Sequence, residues 1–559
     1  MKSHRRRPRT RTAVRAAITL AAPVLVFVAP DGTSGQIRFR DVASESGLRF
    51  ALNSGPTVGK PMIEAVAGGV AAFDANADEL IDIYFTNGAD SRSLRKLGPR
   101  HWNRLYRNLG GMRFADVTER AGVAGHGYSM GVAAADYDND GDADLFVAGY
   151  RANILFRNDG TGVFSDATKE AGIANRVWSV AAGWFDFDRD GALDLFVVNY
   201  LDWDPEDDRF CGDREQGLRI YCSPTYYAGL PNTLYRNLGD GTFEDVSEQS
   251  GIGSHVGKGM SVAFGDYDGD GWLDAFVAND TEPDFLFRNR GDGSFEEAGL
   301  LSGVALASDG IPISSMGVTF QDYDNDGLPD IHVTALNRQT FPLFRNSGDG
   351  LFEDMTTLSG LRRLTVSRSG WANALVDFDN DGLKDLFVAT SHVNDRAEDF
   401  ENAAYRQANA VFANVGDGAF QDVSDTAADF RPAAHRGAAF ADLDGDGRVD
   451  AVVSSIGDPA ELWRNESLGE NHWLGVRLVG RGSNRDGIGA QVRMGEQFAI
   501  ATSSVGYASS SLAPMHFGLG RVPGRKDANV TWPDGTRQAI HIEGTDRVLT
   551  IEQAAQISQ

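Results

Sequence analysis

The sequence predicts an all-β protein: a seven-bladed β-propeller closed by an N-terminal strand, followed by a small C-terminal β-sandwich-like domain. Three observations predict it. An acidic loop pattern recurs seven times, a second short signature recurs seven times, and a third also recurs seven times, with one copy displaced to the far end of the chain. Composition agrees, because 559 residues exceed one ordinary domain and 42% hydrophobic with 10% aromatic residues can fill a large core. Sixty-five glycines against 18 prolines, without a triplet period, point to tight turns between short strands.

The first element is a leader. Lys2, Arg5, Arg6, Arg7, Arg9, Arg11 and Arg15 precede an apolar stretch from Ala16 to Pro30, the order of a secretory signal, so residues 1–35 read as a signal peptide cleaved after Gly35. With Pro23 inside it, the stretch is short for a span of the roughly 30 Å hydrocarbon core, and no transmembrane span is expected in the mature chain. The expected location is secreted, periplasmic or at the cell surface. There Cys211 and Cys222 are expected to pair and close a surface loop. Without the leader, 45 basic residues face 78 acidic ones, a net charge of -33. Such a surface repels phosphate backbones, which argues against nucleic acid or an anionic membrane as partner and suits bound cations.

Residues 36–470 hold the repeats. The pattern D-x-D-x-D-G-x-x-D places acids at Asp136, Asp138, Asp140 and Asp144; at Asp186, Asp188, Asp190 and Asp194; and at Asp266, Asp268, Asp270 and Asp274. It continues at Asp322, Asp324, Asp326 and Asp330; at Asp377, Asp379, Asp381 and Asp385; and at Asp442, Asp444, Asp446 and Asp450. A first, imperfect copy is Asp74, Asn76, Asp78 and Asp82, with Glu79 in place of glycine. Successive starts lie 62, 50, 80, 56, 55 and 65 residues apart, the length of a blade of four short strands. The second signature, L-aromatic-R-N, follows each loop and ends at Asn108, Asn158, Asn237, Asn289, Asn346 and Asn465, with a drifted copy ending at Asn414.

The third signature, a strand of the type F-x-D-V, begins at Phe114, Phe164, Phe243, Phe295, Phe352 and Phe420 but has no copy after Asn465. The missing copy is Phe39-Arg40-Asp41-Val42. Unpaired edge strands invite aggregation, so this displacement predicts that the N-terminal strand completes the last blade and closes a ring. Gly131 to Ala135 reads as an inner strand, small because strands converge at the axis, and the segment from Asp144 begins the second. All Asp loops then share one face.

Carboxylates at positions 1, 3, 5 and 9 with glycine at 6 match the oxygen-rich shell of a hard cation, and calcium fits best. Zinc or copper would call for His or Cys, which the loops lack. Position 12, a bidentate Glu in an EF-hand, is Val147 or Val277 here. Six to seven Ca2+ ions are expected, the seventh depending on loop 1, where Asn76 removes a charge and Glu79 replaces glycine.

The loops resemble the FG-GAP-like or VCBS repeats of calcium-binding propellers, as in the headpiece of integrin alpha subunits, over roughly residues 36–470. Residues 471–559 carry His472-Trp473-Leu474-Gly475, Gly482 to Gly489, Phe517-Gly518-Leu519-Gly520 and Val530 to Gly535. These are similar to the ASPIC/UnbV domain found after such repeats in the cartilage acidic protein-like family. The resemblance implies an exported calcium-binding protein and, for most members, no defined reaction. On its own pattern this segment is β-rich at Trp473 to Val479, Asn529 to Trp532 and Arg547 to Glu552, a sandwich packed on the propeller. Asn484, Arg485 and Asp486 read as a loop held by its own hydrogen bonds, with a ligand site as the alternative.

Gly127 to Gly131 spells G-x-S-x-G without the strand-turn-helix context of a nucleophile, so Ser129 reads as inner-strand structure and no catalytic residue is named. Long connections, Asn87 to Asn103 with His101, Asn199 to Pro231, Asn279 to Asp284 and Ser391 to Asn409, fall on the face opposite the Asp loops. His126, His255, His392 and His435 can reach that rim, as a catalytic or transition-metal centre or, since no pair has a recognised ligand spacing, as ordinary loop histidines. The function expected is an exported calcium-binding module that binds or adheres to a macromolecule or glycan through that loop face. The alternative is an exported enzyme tailoring a secondary metabolite at the channel mouth. The partner, a protein, glycan or small molecule, is not specified by the sequence.

Overall fold

The computed structural model describes Met1 and residues 36–174, 176–207, 209–521 and 526–555; the leader read from residues 1–35 lies outside the described residues apart from Met1. Blade 2 shows the plan. Tyr128–Ala135, Asp144–Tyr150, Ile154–Asn158 and Phe164–Asp166 pair in order as an antiparallel sheet, with the Asp loop joining the first two strands. Among the described residues six blades are such four-stranded sheets, and in a seventh, the first along the chain, two strands of the C-terminal segment extend the four to six. Their first strands are Val70–Phe73, Tyr128–Ala135, Ser179–Phe185, Gly259–Gly265, Val318–Gln321, Gly370–Val376 and His435–Ala441. Each packs against the next, and the last packs against the first.

The closure follows the displaced signature. Phe39–Asp41 pairs antiparallel with Glu461–Asn465, with Phe39 opposite Asn465 and Asp41 opposite Trp463. Phe39 is buried, and its ring meets Phe378 of the neighbouring blade edge-on at 5.2 Å. Fully burying such a side chain contributes about 1.5–3 kcal/mol, so the seam is closed by apolar packing as well as by strand pairing.

The C-terminal segment is a sandwich of two sheets. Met515–Gly520, His472–Val479 and Arg547–Glu552 form one; Gln497–Ile500, Gln491–Met494, Lys526–Thr531 and Arg537–Ile542 form the other. Leu474, Val476, Phe517, Trp532 and Ile551 fill the space between them.

The sandwich does more than pack on the propeller. Ser504–Val505 and Ser509–Leu512 leave it as a hairpin, and Ser509–Leu512 pairs in parallel with Val70–Phe73 at the propeller axis. Val132 N donates to Ala508 O at 3.1 Å, Val318 N to Gly506 O at 3.3 Å, and Ala134 N to Ser510 Oγ at 3.0 Å. Phe440 N donates to Ser511 Oγ at 2.9 Å. At the tip, fully buried Tyr507 donates to Val66 O at 2.5 Å and meets Trp371 edge-on. The hairpin thus binds the inner strands of blades 1, 2, 5 and 7, and serine hydroxyls accept from N–H groups that a ring of inner strands otherwise leaves unpaired. Gly131 shows how tight the fit is, since a Cβ there would lie 2.4 Å from Val180 O and 3.0 Å from Ala508 O.

Candidate functional site

In loop 2, Asp136 accepts from Asp140 N and Gly141 N, at 3.0 and 2.8 Å, through its two oxygens. Asn139 and Gly141 turn the chain at φ +57° and +104°, the left-handed region that glycine enters freely. Asp144 accepts from Tyr137 N at 3.3 Å and from Asn158 N at 2.7 Å. The result is a cup of carboxylates. Oxygens of Asp136, Asp138 and Asp144 lie within 4.8 Å of one another, as do those of Asp186, Asp188 and Asp194, of Asp266, Asp268 and Asp274, of Asp322, Asp324 and Asp330, and of Asp377, Asp379 and Asp385, with one further group.

Position 5 stands outside these groups. Asp140, Asp190, Asp270, Asp326, Asp381 and Asp446 instead accept the N–H of position 7 at 2.9 to 3.0 Å. Each does so through one oxygen, Oδ1.

The L-aromatic-R-N signature supports the loops. Its asparagine side chain donates to the carbonyl at position 8 of its own loop and to that at position 2 of the preceding loop, as Asn237 does to Leu193 O and Tyr137 O at 3.0 and 2.8 Å. Its arginine pairs with the outer carboxylates: Arg236 with Asp188, Arg288 with Asp268, Arg345 with Asp324, and Arg464 with Asp444, at 2.6 to 2.8 Å. Among the described residues Asp138 Oδ1, Asp266 Oδ1 and Asp444 Oδ1 are buried without a hydrogen-bond donor.

Burial first, and neighbouring carboxylates next, hold these acids above their ordinary range: Asp186 is pushed to about 7 and, with Asp486 as its leading charged neighbour, so is Asp136. Burial also raises Asp144 to about 9 and Asp322 and Asp442 to about 6, and it lifts Asp194, Asp274, Asp330 and Asp450 well above normal. A cup of acceptor oxygens with unpaired lone pairs, costly to ionise alone, fits a hard cation.

Loop 1 keeps the shape with altered chemistry. Asn76 donates to Asp78 Oδ2 at 2.9 Å, Arg107 pairs with the same oxygen, and Asp82 is raised to about 7 by burial. Asn76 Oδ1 is buried without a donor, as at position 3 of loops 2 and 7. Glu79 N donates to Asp74 Oδ2 at 2.7 Å, with Glu79 at φ +66° where the other loops have glycine, and its carboxylate lies 3.4 Å from Arg477 of the sandwich.

The sandwich covers the Asp-loop face. Asn484 closes its own loop through Ile488, as expected, but its neighbours reach the propeller. Asp486 Oδ2 accepts from Asp136 N at 2.8 Å, and Arg485 N donates to Asn139 Oδ1 at 2.8 Å. Gln491 donates to Asp266 Oδ2 and Arg493 to Gly327 O, at 3.0 and 2.6 Å. Polar residues in one sequence segment carry no signal of such remote partners, so their role was missed.

Ser129 lies in the inner strand, fully buried. The rim histidines have separate neighbours: His126 with Asp166 at 3.4 Å, His392 with Glu401 at 3.7 Å, and His255 edge-on to Phe287. His435 is buried against Glu461 at 3.0 Å, and His101 Nδ1 accepts from Leu97 N. Cys211 and Cys222 form a disulfide within the long connection of blade 3. Among the described residues no helix is long and apolar enough to cross a membrane.

FG-GAP-like repeats match residues 74–147, 136–197, 207–277, 266–333, 322–388 and 394–453. The chain belongs to the FG-GAP-like repeat family. Residues 480–558 match ASPIC and UnbV, so these repeats are followed here by the segment that plugs and covers them. The chain is similar to Cartilage acidic protein 1 of Homo sapiens, 29% identical over 310 residues, which covers 52% of this chain and 43% of that protein. It is also similar to Cartilage acidic protein 1 of Xenopus tropicalis, 28% identical over 309 residues, 52% of this chain and 44% of that protein. The match thus spans less than half of either relative. Among solved structures, the V. cholerae biofilm matrix protein Bap1 is 11% identical with a TM-score of 0.33, covering 90% of this chain and 62% of that one.

Proposed function

We propose that the protein is an exported, calcium-stabilised binding module with a leader at residues 1–35, a propeller at 36–470 and a sandwich at 471–559. Its Asp loops hold six to seven Ca2+ ions through positions 1, 3, 5 and 9, and it engages a macromolecule or glycan through the face opposite those loops. The convergence of inward carboxylate oxygens in loop after loop carries the calcium reading. Bound calcium supplies the positive charge that lets these acids stay ionised when buried. The asparagine staples and arginine pairs orient the carboxylates.

The choice of face rests on coverage. The sandwich occupies the Asp-loop side and its hairpin fills the axis, which leaves the long connections on the opposite side free. They brace one another: Lys60 pairs with Asp395, Tyr150 donates to Trp203 O at 2.9 Å, and Tyr200 to Asp280 Oδ2 at 2.7 Å. On this platform Val58, Tyr226 and Phe400 are 86%, 57% and 40% exposed. Exposed apolar and aromatic side chains on a rigid support are what a protein or sugar surface can use.

Equilibrium dialysis of chelated protein against calcium is expected to recover six or seven ions, and fewer than three contradicts the site assignment. Screening glycan and protein arrays with wild type and with Tyr226→Ala/Phe400→Ala tests the face. Calcium-dependent binders that the variant retains in full contradict it.

A further inference from the structure

We propose that loop 6 holds an occluded ion, shut in by the C-terminal sandwich, that exchanges more slowly than the ions of loops 2 to 5. This rests on the calcium reading above and adds a distinction among the sites. Loop 6 is buried at its acid cup, with Asp377, Asp379, Asn380 and Asp385 only 5%, 8%, 4% and 3% exposed, and half-buried from Asp381 to Lys384. In the groups that begin at Asp136, Asp186, Asp266 and Asp322, by contrast, the position-3 carboxylate reaches solvent.

The cover comes from the sandwich. Asn471 donates to Asp379 O at 2.8 Å, Gly520 N to Asn380 O at 2.9 Å, and His516 Nε2 lies 2.6 Å from Asn380 Oδ1. Gly518 presses its backbone onto the cup, where a Cβ would lie 1.9 Å from Asp377 Oδ2. Asn380 Nδ2 donates to Gly447 O at 3.0 Å and seals the side toward loop 7.

Charge points the same way. Arg107, Arg236, Arg288, Arg345 and Arg464 each pair with acids of their own loop, but blade 6 has Ala413 at that position. Among the described residues Asp377, Asp379, Asp381 and Asp385 form no ion pair, and nearby Lys384 directs its amine to Asp322 O and Phe498 O. Among the described residues the corresponding oxygens of sister loops, Asp138 Oδ1 and Asp444 Oδ1, are buried with no donor, while Asp379 Oδ1 accepts from Asp381 N at 3.3 Å. A buried, uncompensated acid cup is the one that most requires a cation, and its ion can leave only when Met515–Gly520 lifts.

The test is stopped-flow mixing of calcium-loaded protein with excess fluorescent chelator. The wild type is expected to release one ion about tenfold or more slower than the ions of loops 2 to 5, because release waits on local opening. Asn471→Ala/His516→Ala is expected to accelerate that slow phase alone. Ala413→Arg, which restores the arginine of the other blades at a half-buried position, is expected to weaken the slow site and spare the fast ones. Release of all ions in one phase, or a slow phase unmoved by both variants, overturns the inference while leaving calcium binding intact. A wild type that binds no calcium at all overturns the calcium reading itself.

Discussion

Asn108 in the first blade donates its side-chain amide to the carbonyl of Leu443 in the seventh, at 2.9 Å, across the seam where the ring closes. The same amide bonds Ile81 O of its own blade at 3.0 Å. Every blade repeats this staple, and Asn465 reaches Phe378 O in the sixth. Asn108→Ala leaves two buried carbonyls without a donor and is expected to cost about 1–3 kcal/mol. The urea midpoint reads it, and a midpoint equal to wild type contradicts the staple's role.

The hairpin at the axis makes propeller and sandwich one cooperative unit. Tyr507→Ala removes the fully buried ring at its tip and its bond to Val66, and by analogy with other buried aromatics should cost about 3–5 kcal/mol. Calorimetry of the wild type is expected to show one unfolding transition. Two well-separated transitions in the wild type contradict the coupling.

How much of this was legible in the sequence follows from where its punctuation lies. The blades and the seam could be read because each turn keeps its acids and glycine, and because Phe39-Arg40-Asp41-Val42 stands where the count demands it. The plug could not. Ser504–Leu512 reads like any short sandwich strand, and its partner Val70–Phe73 lies more than 400 residues away with no pattern linking them. The turn bond of position 5 was also not legible, because an acid that caps a turn and an acid that binds an ion share one spacing.

Without calcium, the Asp loops should make the fold less stable as pH rises. Burial holds Asp136 and Asp186 near 7 and Asp144 near 9, so the native state retains protons that the unfolded chain releases near pH 4. Stability therefore falls as pH rises from about 4 to about 8. Calcium displaces those protons, so its affinity should rise over the same range. Melting temperatures across pH in EGTA check the first statement, and a metal-free protein that gains stability toward pH 8 contradicts it.

At the closing blade, burial opposes charge on His435, but Glu461 outweighs it and holds the imidazole above its usual value. Glu461 is held below its own by the same pair. The histidine's contribution is complete below about pH 6.5 and is lost as pH rises through its raised value; Glu461's is lost as pH falls through its lowered one. His435→Gln should flatten the alkaline side of this profile. An unchanged urea-midpoint profile between pH 5.5 and 8.5 contradicts it.

The most direct test of the central claim is differential scanning calorimetry of the full chain with calcium and with excess EGTA. Each occupied loop adds about 2.7 kcal/mol at a hundredfold excess over its Kd. The expected result is a single transition that moves to lower temperature on chelation and returns when calcium is restored. An identical melt in both conditions contradicts the account.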